Sequence, residues 1–263
     1  MATKNIFKSL FDVYSPLKTA EELKTSYTNI TYKDVEDNVD IRALYNKEIL
    51  FNYLNEAVVK AAFIKNIALK RSPRTTTTIF ELNAHNSRAD LCLINHKSEV
   101  FEIKTSYDSY SRLNNQLDDY LALFDYLNII IPQENYQSFI KEAPHYLGVI
   151  IYSQNRNGRL IFKTIKKPTL NKDKDAHKQL NELTKKELLS LINSSNYHIN
   201  KDDIITTLLA TKTKEAINTI YKNYLISKYQ KRWLFIYDNH QNIYFLDYQW
   251  FYYNNLNYKY VYK

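Results

Sequence analysis

The chain has 263 residues, of which 44% are hydrophobic and 24% charged, with a formal net charge of +8 and two glycines. Its length allows one large domain or a core domain with an added module, and its charge suits a polyanionic partner such as nucleic acid. Cys92 is the single cysteine, which excludes an intramolecular disulfide and favours a reducing cytoplasm. No apolar run approaches the roughly 20 residues of a membrane helix, and two glycines exclude the glycine-rich loop of a Walker-type NTPase.

Helical spacing dominates the first part of the chain and strand patterns follow it. Apolar residues three and four apart over 40–68 predict a helix with Asp40 as its N-cap, which ends before Pro73. Three strand-like runs come next, namely "TTTIFEL" (76–82), "RADLCLI" (88–94) and "EVFEIK" (99–104). Short loops rich in turn formers join them, which favours an antiparallel meander.

Helices and strands alternate after the meander. The pattern predicts a helix over 109–127, a strand over 127–132, a helix over 133–142 and a strand over 146–153. The turn "NRNG" then leads into the strand "RLIFKTI". This order predicts an α/β fold in which helices flank a mixed sheet.

Composition changes near residue 168, where a charged linker begins. The pattern predicts helices near 176–193, 201–210 and 213–228, followed by aromatic strands at "WLFIY" and "IYFLDY" and a Tyr-rich tail. We therefore interpret residues 169–263 as a C-terminal α+β module that binds the target or a partner.

Acidic and basic residues meet at the end of the meander. Glu102 and Lys104 lie two apart on the third strand and point to one face, and a hairpin connection brings Asp90 beside Glu102. Two adjacent carboxylates repel each other unless a cation lies between them. Oxygen ligands suit Mg²⁺ or Mn²⁺, and Lys104 adds positive charge for a phosphate.

These residues form a pattern known from nucleases. Asp90 followed by Glu102-Ile103-Lys104 on the adjacent strand resembles the PD-(D/E)XK nuclease superfamily, although Ala89 replaces the family's usual proline. Gln116 and Tyr120 resemble the Q-x-x-x-Y helix of its RecB-type branch.

A longer stretch extends this resemblance. Residues 76–132 are similar to a mostly uncharacterised bacterial group of restriction-nuclease-like proteins. The resemblance implies a restriction-endonuclease-like domain over 1–168, with its core at about 40–166. It says nothing about residues 169–263.

The resemblance also implies roles for particular residues. Asp90, Glu102, Lys104 and Gln116 would be catalytic, and Asp90, Glu102 and Glu81 would bind the metal. Glu56 and Glu48 stay open as alternatives to Glu81. By the resemblance Arg112 and Tyr120 would also contact nucleic acid. Arg88, two residues before Asp90, and Arg74, which flanks the first strand, are candidates for phosphate contact from their positions.

These observations predict a Mg²⁺-dependent deoxyribonuclease in the cytoplasm, with no membrane partner and, by resemblance, a role in defence against phage or other foreign DNA. Two alternatives stay open. The first is a nucleic-acid-binding protein on the same scaffold that does not cleave. The second is a protein-interaction component of a phage-defence or inhibitor system. A homodimer and a partner bound through the C-terminal module also stay open.

Overall fold

A six-stranded mixed sheet forms the centre of the computed structural model, which describes residues 2–262 and the side chains from Ile6 onward. The strands lie in sequence order, and the prediction of a mixed sheet flanked by helices is confirmed. They are β1 Thr77–Ala84, β2 Ser87–Ile94, β3 Ser98–Ile103, β4 Tyr126–Pro132, β5 Gly148–Gln154 and β6 Leu160–Lys166.

The direction of each strand follows from its connection. Tight turns join β1, β2 and β3, which pair antiparallel as predicted. The helices α5 Leu113–Leu121 and α6 Tyr136–Glu142 cross between β3, β4 and β5, which pair parallel. The β2–β3 register pairs Leu91 with Phe101 at the end of the ladder, so the next residues out are Asp90 and Glu102.

Each face of the sheet carries its own hydrophobic core because side chains alternate along β3. Val100 faces the core covered by α5 and by the helices of residues 176–225, whereas Phe101 faces the core covered by the helices before the sheet and by residues 233–261. The N-terminal helices are α1 Ala2–Val13, α2 Ala20–Thr31, α3 Ile41–Asn52 and α4 Glu56–Asn66. Those after the sheet are α7 Ala176–Asn181, α8 Lys185–Leu191, α9 Lys201–Thr211, α10 Lys214–Asn239, α11 Tyr248–Asn254 and α12 Tyr258–Val261.

The helix predicted over 40–68 is two helices, α3 and α4. The side chain of Asn55 accepts a hydrogen bond from the backbone N–H of Val58 and caps a new helix there. Asn at an N-cap satisfies one of the first backbone donors that a helix leaves unpaired. The break places Glu56 in the first turn of α4, where it reaches the end of β2.

The two aromatic strands predicted after residue 232 are wrong. "WLFIY" lies inside α10, and Phe245–Asp247 is a 3-10 helix that leads into α11. Between residues 167 and 262 the structure contains helices and loops but no strand. Trp233 and Ile236 are buried three positions apart, a helical spacing that overrides the strand preference of aromatic residues.

The C-terminal helices complete both cores of the sheet. Leu180 and Tyr221 pack in one core, whereas Trp233 and Phe251 pack in the other. Within residues 2–262, no helix is long and apolar enough to cross a membrane. The cytoplasmic location stays a prediction.

Candidate functional site

A polar cavity of about 620 Å³ lies where β2, β3 and α5 meet. Six of the nine residues predicted as site residues line it: Asp90, Glu102, Lys104, Gln116, Arg88 and Arg112. The other lining residues are Glu56, Asn83, His85, Asn86, Ser87, Ile103, Asp108, Asn115 and Asp119. The fold thus gathers side chains from the meander and the following helix around one space.

Asp90 is buried at the floor of this cavity, with 7% of its surface exposed. Its Oδ2 accepts a hydrogen bond of 2.6 Å from the backbone N–H of Ile103. Its Oδ1 accepts no hydrogen bond within residues 2–262 and lies 3.9 Å from the ammonium of Lys60. Burial first, and then the charge of Glu102, raise the pKa of Asp90 well above its usual value.

Glu102 is held at both of its oxygens. Lys104 Nζ donates to Glu102 Oε1 at 2.8 Å and to Gln116 Oε1 at 2.9 Å. The Tyr120 hydroxyl lies 2.8 Å from Glu102 Oε2, and burial raises the pKa of Tyr120, so this hydroxyl stays a donor. These contacts fix the rotamers of Glu102 and Lys104 before any ligand binds.

One predicted contact with nucleic acid needs correction, and the contact by Arg74 stays a prediction. Tyr120 has 0% of its surface exposed, so it positions Glu102 and cannot contact a nucleic-acid strand. Arg74 is exposed in the loop before β1 and does not line the cavity.

Lys60 is the important residue that the sequence analysis missed. It lies on α4 and is buried, with 3% of its surface exposed. Its ammonium donates to Glu56 Oε1 at 2.9 Å, to Gln249 Oε1 at 3.4 Å and to Glu81 Oε1. Burial alone would lower the pKa of Lys60, but the nearby carboxylates outweigh burial and raise it. One feature of the sequence could have identified it, namely that Lys60 lies four residues after Glu56 within the apolar stretch "AVVKAAF".

Glu81 lies opposite Asp90, where the β1–β2 ladder is interrupted. Its backbone has a φ of +51°, a left-handed conformation that is costly for a residue other than glycine and is typical of functional sites. Glu81 Oε1 binds Lys60, and Glu81 Oε2 accepts from Arg88 Nε at 2.7 Å. Both oxygens of Glu81 are therefore engaged in ion pairs.

Glu56, one of the two alternatives, lines the cavity, whereas Glu81 lies beside it and Glu48 does not line it. Carboxylate oxygens of Glu56, Glu81 and Asp90 lie within 4.8 Å of one another. With Glu102 they make four acids around three cations, Lys60, Arg88 and Lys104. The cluster is short of one positive charge, and carboxylate oxygens are the ligands that Mg²⁺ prefers.

Comparison with known proteins points to a phage family. A family model described as Bacteriophage P4 protein cII matches residues 50–245 of the chain. Protein cII of Enterobacteria phage P4 is 29% identical over 179 residues, which cover 65% of this chain and 67% of that protein. Among solved structures, the SPO1766 protein of unknown function from Silicibacter pomeroyi is 17% identical and covers 41% of this chain and 69% of its own, with a TM-score of 0.31. That similarity is too low to support an argument about fold or function.

The phage match overturns the assignment to the PD-(D/E)XK superfamily. The matched region, residues 50–245, contains Asp90, Glu102-Ile103-Lys104 and the Gln116–Tyr120 helix, so these short patterns occur within another family. The description of the chain as a restriction-nuclease-like hydrolase rested on that resemblance and is corrected with it. The cavity and its contacts do not depend on the resemblance.

Proposed function

The chain belongs to the bacteriophage P4 protein cII family, and on that premise we propose that it binds nucleic acid without cleaving it, through a divalent cation held at Asp90 and Glu102. One observation carries this proposal. Asp90 Oδ1 is a carboxylate oxygen beside a polar cavity, and within residues 2–262 it accepts no hydrogen bond. The Lys60 ammonium lies 3.9 Å from this oxygen, beyond hydrogen-bond distance, so a coordination position for a divalent cation stays open on Oδ1.

The charges around the cavity support Mg²⁺ or Mn²⁺ as that cation. With the other charged lining residues, Asp108, Asp119 and Arg112, six carboxylates surround four cationic side chains, so a bound divalent ion would neutralise a formal local charge of −2. Without the ion, the acids would repel a phosphate, whereas the ion would remove this repulsion and offer a local positive centre. Asp90 and Glu102 would hold the ion, and the ion would supply a positive centre for phosphate oxygens.

Basic side chains at the cavity support a nucleic-acid ligand. Arg88, whose side chain is 66% exposed, and Arg112 line the opening and can reach phosphates of a strand. Lys104 uses two of its three N–H groups on Glu102 and Gln116, which leaves one for a phosphate oxygen. The net charge of +8 favours the approach of a polyanion to the whole chain.

Lys60 disfavours cleavage by a two-metal mechanism. Its ammonium already lies among Glu56, Glu81 and Asp90, so it takes the place that a second metal ion would need. The Mg²⁺-dependent deoxyribonuclease activity stays a prediction and is the competing outcome of the experiment below. The predictions of a homodimer and of a protein partner also stay predictions.

Fluorescence anisotropy with labelled single- and double-stranded DNA and RNA tests the proposal, in Mg²⁺, Mn²⁺ or EDTA. Each sample is then run on a denaturing gel to report strand length. We expect binding that needs the divalent ion, weakens with salt and leaves the strand intact. Asp90→Asn should remove the ion dependence, whereas Asp118→Asn, an equal charge change at an exposed position of α5, should not. Equal binding in EDTA, or shortened strands that require Asp90, would overturn the proposal.

A further inference from the structure

A second cavity, of about 470 Å³, lies on the opposite face of the sheet. We propose that it binds a planar aromatic anion of the size and chemistry of a nucleoside monophosphate. Its volume lies within the range of about 300–1,000 Å³ that is typical of small-molecule sites. It is lined by Phe63, Ile67, Arg71, Lys97, Glu99, Phe101, Tyr126, Asn128, Ile150, Phe162, Thr164, Lys167 and Pro168.

This cavity is separate from the site at Asp90. Glu99 and Phe101 line it, and these residues alternate along β3 with Val100 and Glu102, which face the other way. No residue lines both cavities. The inference is therefore independent of the proposed function, and either can fail alone.

Aromatic rings make a preformed wall for a planar group. The Phe63 and Phe101 ring centroids are 5.0 Å apart, and those of Phe63 and Phe162 are 5.3 Å apart in an edge-to-face pair. Phe63 and Phe101 are buried, so packing fixes this wall before a ligand arrives. Phe63 and Phe101 are too buried to stack on a ligand themselves. The partly exposed rings of Phe162 and Tyr126 offer the surface on which a nucleobase stacks.

The rim of the cavity selects an anion. Arg71, Lys97 and Lys167 face one acid, Glu99, which lies 3.4 Å from the Arg71 guanidinium. Lys97 Nζ lies over the Tyr126 ring at 5.2 Å. Within residues 2–262 neither Lys97 nor Lys167 forms an ion pair, so two cations remain for a phosphate. A neutral or cationic ligand would leave these charges unmatched.

A buried amide adds the polar group that a base edge requires. The Asn128 side chain donates a hydrogen bond of 3.3 Å to the backbone carbonyl of Val100. Gly148 makes room for this amide, because a Cβ at that position would lie 2.3 Å from Asn128 Oδ1. A nucleotide fits this cavity better than a fatty acid or an inorganic anion does. Its base matches the aromatic wall and the amide, and its phosphate matches the cationic rim.

Isothermal titration calorimetry with the common nucleoside 5′-monophosphates tests this proposal. Unphosphorylated nucleosides and inorganic phosphate are titrated in parallel, together with a short single-stranded oligonucleotide. We expect at least one monophosphate to bind more than tenfold tighter than its nucleoside or than phosphate alone. Thr164→Trp fills the cavity from an exposed position and should abolish binding while leaving the thermal transition in place.

A matched pair of charge reversals isolates the rim. Lys167→Glu should weaken binding about tenfold, as expected for reversing one solvated charge at about 5 Å from a phosphate. Lys163→Glu makes the same change at an exposed position of β6 outside the cavity and should have no effect. If the oligonucleotide binds more tightly than any monophosphate and Thr164→Trp abolishes that binding, the result supports the proposal and identifies a nucleic-acid strand as the source of the nucleotide. Absence of binding by every monophosphate, equal affinity for phosphate alone, or unchanged binding in Thr164→Trp would overturn it.

Discussion

Lys60→Met removes the ammonium that holds three carboxylates together. In the native protein Lys60 contacts Glu56, Glu81 and Gln249 and lies 3.9 Å from Asp90. Methionine matches the length of the lysine stem but carries no charge, so the variant leaves the acids close together without compensation. We expect the free energy of unfolding to fall strongly when no divalent ion is present.

The geometry sets the size of this loss. At an effective relative permittivity of about 20, two unit charges 3.9 Å apart interact by about 4 kcal/mol, which is an upper limit for Lys60 with Asp90 because burial and Glu102 raise the pKa of Asp90 and disfavour its charged form. The side chain of Glu56 is 45% exposed, so solvent screens its contact with Lys60, which contributes less than about 1 kcal/mol. The variant also escapes the cost of burying the ammonium. A net loss of about 3–5 kcal/mol is typical when one partner of a buried pair is removed.

Urea denaturation followed by circular dichroism measures this change in EDTA and in Mg²⁺. In the variant, Mg²⁺ should replace the lost charge and recover about 2.7 kcal/mol at a hundredfold excess over its Kd. Lys65→Met, at an exposed position of the same helix, should change stability by no more than about 0.5 kcal/mol.

A second substitution keeps this prediction testable if the single variant unfolds. Adding Glu81→Gln to Lys60→Met removes one of the carboxylates that repel each other once the ammonium is gone. The double variant should therefore regain part of the lost stability. A Lys60→Met variant as stable as Lys65→Met in EDTA would refute the charge argument. A variant that Mg²⁺ does not stabilise would refute the idea that these carboxylates can hold an ion.

Two further predictions concern buried carboxylates. Burial and Glu102 raise the pKa of Asp90 in the folded protein, so folding stability is lost as pH rises above the unfolded pKa of about 3.9. Asp90→Asn should therefore raise the urea midpoint at neutral pH in EDTA. This gain should disappear below about pH 3, where Asp90 is protonated in both states. A lower midpoint for the variant would contradict this sign. Burial would raise the pKa of Asp125, but hydrogen bonds with Lys174 and others and the charge of Lys222 lower it to about 2. The contribution of Asp125 to the free energy of unfolding is present above about pH 4 and lost as pH falls towards 2. Asp125→Asn should therefore lower that free energy by about 2–3 kcal/mol at pH 7 and by little at pH 2. An equal loss at both pH values would refute this prediction.

The sheet was predictable from sequence because its signals are local. Short apolar runs bounded by turn formers marked every strand to within two residues. The same alternation placed Glu102 and Lys104 on one face, and the tight turn brought Asp90 to Glu102. These features depend on neighbours in the chain, so a single sequence contains them.

The remaining features depend on tertiary packing. Lys60 is part of the site because α4 packs beside β1 and β2, and no spacing in the sequence connects it to Glu81 or Gln249. In the C-terminal helices, aromatic residues favoured strands, but burial of Trp233 on the sheet won over that preference. Short motifs also failed to discriminate between families, since a few charged residues on two strands occur in more than one.

The central claim is that a divalent ion at Asp90 and Glu102 couples the polar cavity to a nucleic-acid phosphate. The most direct measurement is the affinity of one labelled strand for wild type and for Asp90→Asn, in Mg²⁺ and in EDTA, with the strand length checked afterwards. The account predicts that Mg²⁺ strengthens binding to wild type only, by tenfold or more, and that the strand stays intact. The same affinity in Mg²⁺ and EDTA for wild type, or a strand cut by wild type but not by Asp90→Asn, would contradict it.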